Sequence, residues 1–211
     1  DGALTATTTG YQNTSVGLYS LRLNTSGNNS VAVGYLTLDA NTSGERNTAL
    51  GAEALGNNTT ASANSAVGYK ALLENTTGTF NTALGHDALR NNTTASNNTA
   101  VGLSALRTNS TGASNIAIGS YSLYANTTGI NNTAVGRLTL QANTTGQENV
   151  AFGMQSLQAS TTGSQNTAIG SYALFLNTTA TGNTAVGERA LRANTTGASN
   201  TAVGESALAS N

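Results

Sequence analysis

Ten asparagines, Asn24, Asn41, Asn58, Asn75, Asn92, Asn109, Asn126, Asn143, Asn177 and Asn194, stand two positions before a Thr or Ser, the pattern of an N-glycosylation acceptor. In a host with the transferase, these side chains would carry sugar and the product would be a glycan-coated filament. Without it, the same Asn-Thr-Thr-Gly runs are turns whose side chains hydrogen-bond in ladders. Other chemistry is scarce. Catalysis requires a nucleophile, a base and an orienting group within reach of one another, and the one histidine, His86, sits beside Asp87 in a variable, surface-type position. Glu188 and Glu205 recur one repeat apart, but the glycine-aspartate pattern of calcium-binding rolls is missing. Cysteine is absent, which removes disulfides and cysteine zinc clusters. The expectation is a chain with no enzymatic activity, no catalytic, cofactor-binding or metal site, and no cofactor.

What positions these residues is a repeat. Gly recurs at 17, 34, 51, 68, 85, 102, 119, 136, 153, 170, 187 and 204, every 17 residues with no insertion between copies. A fixed short period marks a solenoid, in which each repeat packs only on its neighbours. The register runs along the whole sequence, so residues 1–211 are expected to be a single continuous array, and a start in mid-repeat at Asp1 suggests a piece of a longer chain.

Seventeen residues are too few for two packed helices, and the apolar spacing is not 3.6. The spacing predicts an all-β, parallel β-solenoid, a β-roll of about twelve 17-residue turns. In Thr184-Ala185-Val186 the outer two positions vary together: Val31, Ile116 and Val150 replace Thr, and Leu50, Ile118 and Phe152 replace Val. A period of two then points both columns to one buried face. A second strand is expected around the Leu column, Leu at every occurrence from Leu4 to Leu208.

The middle column holds only Ala or Ser: Ser15, Ala32, Ala49, Ala66, Ala83, Ala100, Ala117, Ala134, Ala151, Ala168, Ala185 and Ala202. On this reading it faces outward and forms an interchain strip, where small side chains let separate chains approach, as in a parallel homotrimer. Asn13, Asn47, Asn64 and their successors to Asn200, interrupted by Ser30, are expected to form a ladder at about 4.8 Å per rung.

Composition narrows the partners. Charged residues make up 8% of the chain and the net charge is −1, too little field to hold nucleic acid or an acidic surface. No apolar run approaches about 18 residues, so this segment is not expected to insert in a membrane.

Asn29-Ser30-Val31-Ala32-Val33-Gly34 resembles the head repeat of trimeric autotransporter adhesins, and the NTAVG and NTALG runs with a following AL are similar to repeats of bacterial surface fibres and phage tail fibres. The resemblance implies a left-handed, trimeric roll acting as the shaft or head of an extracellular fibre, on a cell surface or a virion. Implied partners are other copies of the chain, as homotrimer or end-to-end filament, and a cell-surface receptor or glycan. The alternative is an ice-binding solenoid using Thr and Asn ladders. Adjacent threonines such as Thr195 and Thr196 would point to opposite faces, which places that reading second.

Overall fold

A computed structural model describes residues 2–210. The chain forms two compact units, the first ending at Ser104 and the second beginning at Ala105. Each is a parallel β-solenoid, with turns of 17 residues and about eleven turns in all. The first unit stacks β1 (Thr14–Val16), β2 (Val31–Val33), β3 (Thr48–Leu50), β4 (Ser65–Val67), β5 (Thr82–Leu84) and β6 (Thr99–Val101). The second stacks β7 (Ile116–Ile118), β8 (Thr133–Val135), β9 (Val150–Phe152), β10 (Thr167–Ile169), β11 (Thr184–Val186) and β12 (Thr201–Val203). Within each unit successive strands pair in parallel and in register, so that Thr82, Ala83 and Leu84 lie against Thr99, Ala100 and Val101. Each sequence column therefore becomes a physical row of side chains.

The expected direction of the strand faces is reversed. Ala32, Ala49, Ala66, Ala100, Ala117, Ala134, Ala151, Ala168 and Ala185 are fully buried inside the single chain, and Ala83 and Ala202 nearly so. The flanking columns point outward: Leu50, Leu84, Ile116, Ile118, Phe152 and Ile169 are exposed. The Ala column is thus not an interchain strip. Alternation shows that two columns share a face but not which face is buried. Room decides it. The interior must already hold one Leu, two Asn and a small Ala, Ser or Thr side chain from nearly every turn, which leaves space only for a small side chain in the middle strand column.

The second expected strand is also absent among the described residues. From Gly85 to Asn92 the chain makes consecutive tight turns, with the amides of Ala88, Arg90 and Asn92 donating to the carbonyls of Gly85, Asp87 and Leu89 at 3.3, 3.3 and 3.1 Å. Backbone bonds to the neighbouring rungs persist nonetheless, from the Leu72 amide to the Ala88 carbonyl at 3.0 Å and from the Asp87 amide to the Tyr69 carbonyl at 3.0 Å. The cause is a left-handed backbone at alternate residues: φ is 57° at Asp87 and 51° at Leu89. Left-handed conformation costs a side-chain-bearing residue about 1–2 kcal/mol. Full burial of a Leu returns about 1.5–3 kcal/mol, and Leu21 through Leu191 are completely buried. Packing therefore outweighs the backbone preference, which is why Leu occupies a position that propensity assigns to Gly or Asn.

At the end of each strand no such compensation exists. Gly85 has φ of 137°, and a Cβ there would lie 2.5 Å from the Gly102 carbonyl oxygen. The invariant spacing of the marker glycines follows from that close approach of successive backbones.

Two outcomes test this description. Replacing Ala100 by Phe overpacks the interior and should lower the stability of the isolated chain by more than about 3 kcal/mol, whereas Val101→Thr on the outward face should stay within about 0.5 kcal/mol; thermal unfolding at low concentration reads both. Ala63, left-handed at φ of 58° and in the same column as Gly182, should gain about 1 kcal/mol when changed to Gly.

Candidate functional site

The turn sequence Asn-Thr-Thr-Gly places its Asn side chain inside the roll, and each of these asparagines is hydrogen-bonded in two directions. Asn41 Nδ2 donates to Asn24 Oδ1 of the preceding rung at 2.8 Å and to the Gly44 carbonyl of its own turn at 3.1 Å. Asn58 repeats the pattern on Asn41 and Ala61, at 2.8 and 3.0 Å, and Asn75 on Asn58 and Gly78, at 3.1 and 2.9 Å. In the second unit Asn126 and Asn143 continue it, each donating to the preceding Asn at 2.8 Å.

The second Asn column forms its own ladder. The Asn64 amide N–H donates to Asn47 Oδ1 at 3.0 Å, and Asn64 Nδ2 donates to the Gly78 carbonyl at 2.9 Å. That carbonyl also receives Asn75. One carbonyl per turn thus ties both ladders together, and the buried amides become a single network along each unit. Buried polar groups are tolerated only when satisfied, and here the donors and acceptors are supplied by identical residues one period away.

All ten asparagines of the acceptor pattern are buried, Asn194 at 3% exposure and the other nine at 0%. Their amide nitrogens are committed to the ladder, so sugar on them is incompatible with the folded chain. The sequence motif was real but its role is structural, as a rung rather than an acceptor. Exposed asparagines in acceptor triplets lie elsewhere, at Asn57, Asn97 and Asn131, each followed by Asn and then Thr. They escape notice because the next Asn, the ladder residue, dominates the repeat pattern.

Two serines interrupt the ladders with different consequences. Ser30 substitutes adequately: its Oγ accepts from the Asn47 amide at 3.2 Å and donates to the Asn28 carbonyl at 3.2 Å. Ser160 does not. Its side chain is too short to reach back one rung, and both Ser160 Oγ and Asn143 Oδ1 are buried with no hydrogen-bond partner.

Three surfaces remain. The outward sheet face carries the Thr and Val columns and no charged residue on any strand. On the turn edge, the first Thr of each Asn-Thr-Thr run donates its hydroxyl to the next rung, as Thr42 to the Thr59 carbonyl at 3.1 Å and Thr127 to the Thr144 carbonyl at 3.0 Å. The second, such as Thr60 or Thr128, is exposed. While Glu45, Arg46 and Glu148 stand just before the second Asn ladder, most charges and most aromatics project from the turns around the Leu column. There His86 packs on Tyr69 with ring centroids 5.1 Å apart, and its Nδ1 lies 3.4 Å from Asp87 Oδ2. Lys70 has its pKa raised, chiefly by a hydrogen bond with Tyr69 and also by the Glu53 carboxylate, against an opposing effect of desolvation. Glu188 lies 3.4 Å from Arg189. A shallow depression between Leu36, Asp39, Glu53, Gly56, Asn57 and Leu73 marks the place where Gly56 omits a side chain from this surface.

Among the described residues, no group of three or more His, Cys, Asp and Glu is placed to hold a metal ion, and no helix is long and apolar enough to cross a membrane. Comparison of the chain with protein-family models, with curated proteins and with solved structures finds no match.

The broken rung gives a sharp prediction. Ser160→Asn should complete the ladder and raise stability by about 1–2 kcal/mol, while Asn75→Ala should lower it by about 2–4 kcal/mol by stranding its neighbours; denaturant unfolding measures both. A second concerns modification. After passage through a secretory route that adds N-linked sugar, peptide mass spectrometry of folded chains should find none at the ten ladder asparagines, with any occupancy confined to exposed positions such as Asn57, Asn97 and Asn131.

Proposed function

We propose that this chain is a non-catalytic structural and adhesive element, the shaft or head of an extracellular fibre on a cell surface or virion, and that copies associate through the outward sheet face. The observation that supports this reading is the combination of an apolar and uncharged sheet face with charge gathered elsewhere. Val16, Leu50, Val67 and Leu84 in the first unit, and Ile118, Phe152, Ile169 and Val203 in the second, are large apolar side chains between 37% and 70% exposed. Within each unit they stand in single file beside a column that is mostly Thr or Ser, with Val31, Ile116 and Val150 as apolar members. Isolated exposed apolar residues are ordinary, but a contiguous row marks an interaction surface.

A partner that matches such a face along its length has the same regular rise, and another copy of the chain meets that requirement. The trimer implied by the resemblance would place three of these sheet faces around one axis, with the Val column taking the role expected of the Ala column. The left-handed sense belongs to the same resemblance.

One observation favours a second reading, ice binding. With the strand faces reversed, Thr82 and Thr99 in the first unit and Thr167 and Thr184 in the second stand on adjacent outward rungs beside the apolar column, so paired rows of hydroxyl and methyl groups face outward.

Analytical ultracentrifugation at micromolar concentration tests the fibre reading. Wild-type chain should sediment as an oligomer, and the double variant Val67→Lys, Val101→Lys should be monomeric while keeping its β signature. A fully folded wild-type monomer would overturn association through this face. Ice recrystallisation inhibition by that monomer, lost in Thr99→Leu, would favour the second reading instead.

A further inference from the structure

The position after each buried Leu is free to vary, and in the second unit it reads Arg107, Tyr124, Gln141, Gln158, Phe175, Arg192 along six successive turns. A neighbouring column two residues beyond the marker glycine adds Tyr121, Gln155 and Tyr172. The structure brings these columns into one strip. Tyr121 and Tyr124 form a tilted pair with centroids 5.6 Å apart, and Tyr172 and Phe175 a second with the same separation. Between them Gln155 Nε2 donates to Gln158 Oε1 at 2.7 Å, and Gln158 Nε2 to Gln141 Oε1 at 2.8 Å. The ends are cationic. The Arg107 guanidinium lies 5.9 Å from the Tyr124 ring centroid and donates to its hydroxyl at 2.9 Å, and the Arg192 guanidinium lies 5.6 Å from the Phe175 ring centroid.

We propose that this strip is a binding site for a linear acidic polysaccharide laid along the stacking direction of the second unit. The proposal deepens the adhesive part of the fibre reading by naming the class of ligand. Aromatic rings accept the C–H faces of sugar rings, and the side-chain amides between them offer donors and acceptors matched to hydroxyl groups. Three rungs separate the aromatic pairs, about 14 Å at the usual strand spacing, so a chain of sugars rather than a single one is needed to touch both. The arginines favour an anionic chain, since guanidinium groups bind carboxylates through paired N–H donors. Four-rung continuity without an acidic residue, from Tyr121 to Phe175 in these two columns, keeps the strip free of repulsion toward that ligand.

The equivalent columns of the first unit differ in kind. They hold Arg22 paired with Asp39 at 2.8 Å and Lys70 near Glu53 at 3.6 Å. Such neutralised pairs present no comparable run of rings and amides. The scaffold is common to both units, and the variable columns give them different surfaces.

Isothermal calorimetry with alginate oligosaccharides as the acidic probe and cello-oligosaccharides as the neutral one tests the proposal on the full chain. Wild type should bind alginate and prefer it over the neutral probe by at least tenfold. Tyr124→Ala with Phe175→Ala should weaken alginate binding at least tenfold, and Arg107→Gln with Arg192→Gln should remove the preference for the acidic chain, all with unfolding temperatures close to wild type. The matched first-unit change Arg22→Gln should leave binding intact. Absence of alginate binding, equal binding of the neutral probe, or unchanged binding in the strip variants would each overturn the proposal. Sedimentation of the same samples reads assembly separately, so loss of the glycan site and loss of the fibre reading are distinguishable.

Discussion

The buried asparagine amide imposes the strictest condition on this chain. A carboxamide removed from water must find partners for two N–H groups and a carbonyl oxygen, and here the oxygen of one rung is satisfied by the Asn of the next, as Asn58 does for Asn41. The condition is met only if the following Asn arrives after the same number of residues. A single insertion would carry two ladders, the Leu row and the close glycine contacts out of line together. The constancy of the 17-residue period is therefore a consequence of hydrogen bonding in the interior rather than of the strands, which are only three residues long.

Strain is distributed along the turns and compensated locally. Leu106 sits at φ of 50° and Leu123 at 49°, both completely buried. Placing a side chain into the interior from a left-handed residue lets a very short strand be followed at once by a return of the chain, without the length that a second strand would need. The cross-section is narrow as a result. A narrow interior that already holds the Leu row has no capacity for the Val row as well.

Much of this architecture was legible in the residues. The period, the parallel in-register stacking and the ladder character of the Asn columns follow from identity recurring at fixed spacing, since stacking turns it into rows. Two features were not legible for physical reasons. Alternation in Thr-Ala-Val is symmetric between inside and outside, and hydrophobicity pointed the wrong way because available volume, not polarity, selects Ala for the interior. The Leu segment reads as a strand because propensity gives no reason to expect left-handed leucine. The ten acceptor triplets misled similarly. Sequence shows the triplet, but only the fold shows that its Asn amide is already bonded to a neighbour.

These constraints also divide the surface into parts with different freedom. Residues on the outward sheet face keep β-compatible side chains in register, and their variation from Val67 to Leu84 to Phe152 changes size but not character. Residues after the marker glycines and after the leucines meet no such demand, because their backbone shape is enforced by the ladder and the buried Leu beside them. Arg22, Asp39, Gly56, Leu73 and Arg90 can succeed one another in one column without disturbing the rungs beneath. A rigid interior that specifies backbone geometry independently of the outer side chains is what allows one repeat to display a salt-bridged surface in one unit and rings with amides in the other. Recognition by such a chain accordingly resides in how unlike residues follow one another along a column, while stability resides in how alike the columns beneath them remain.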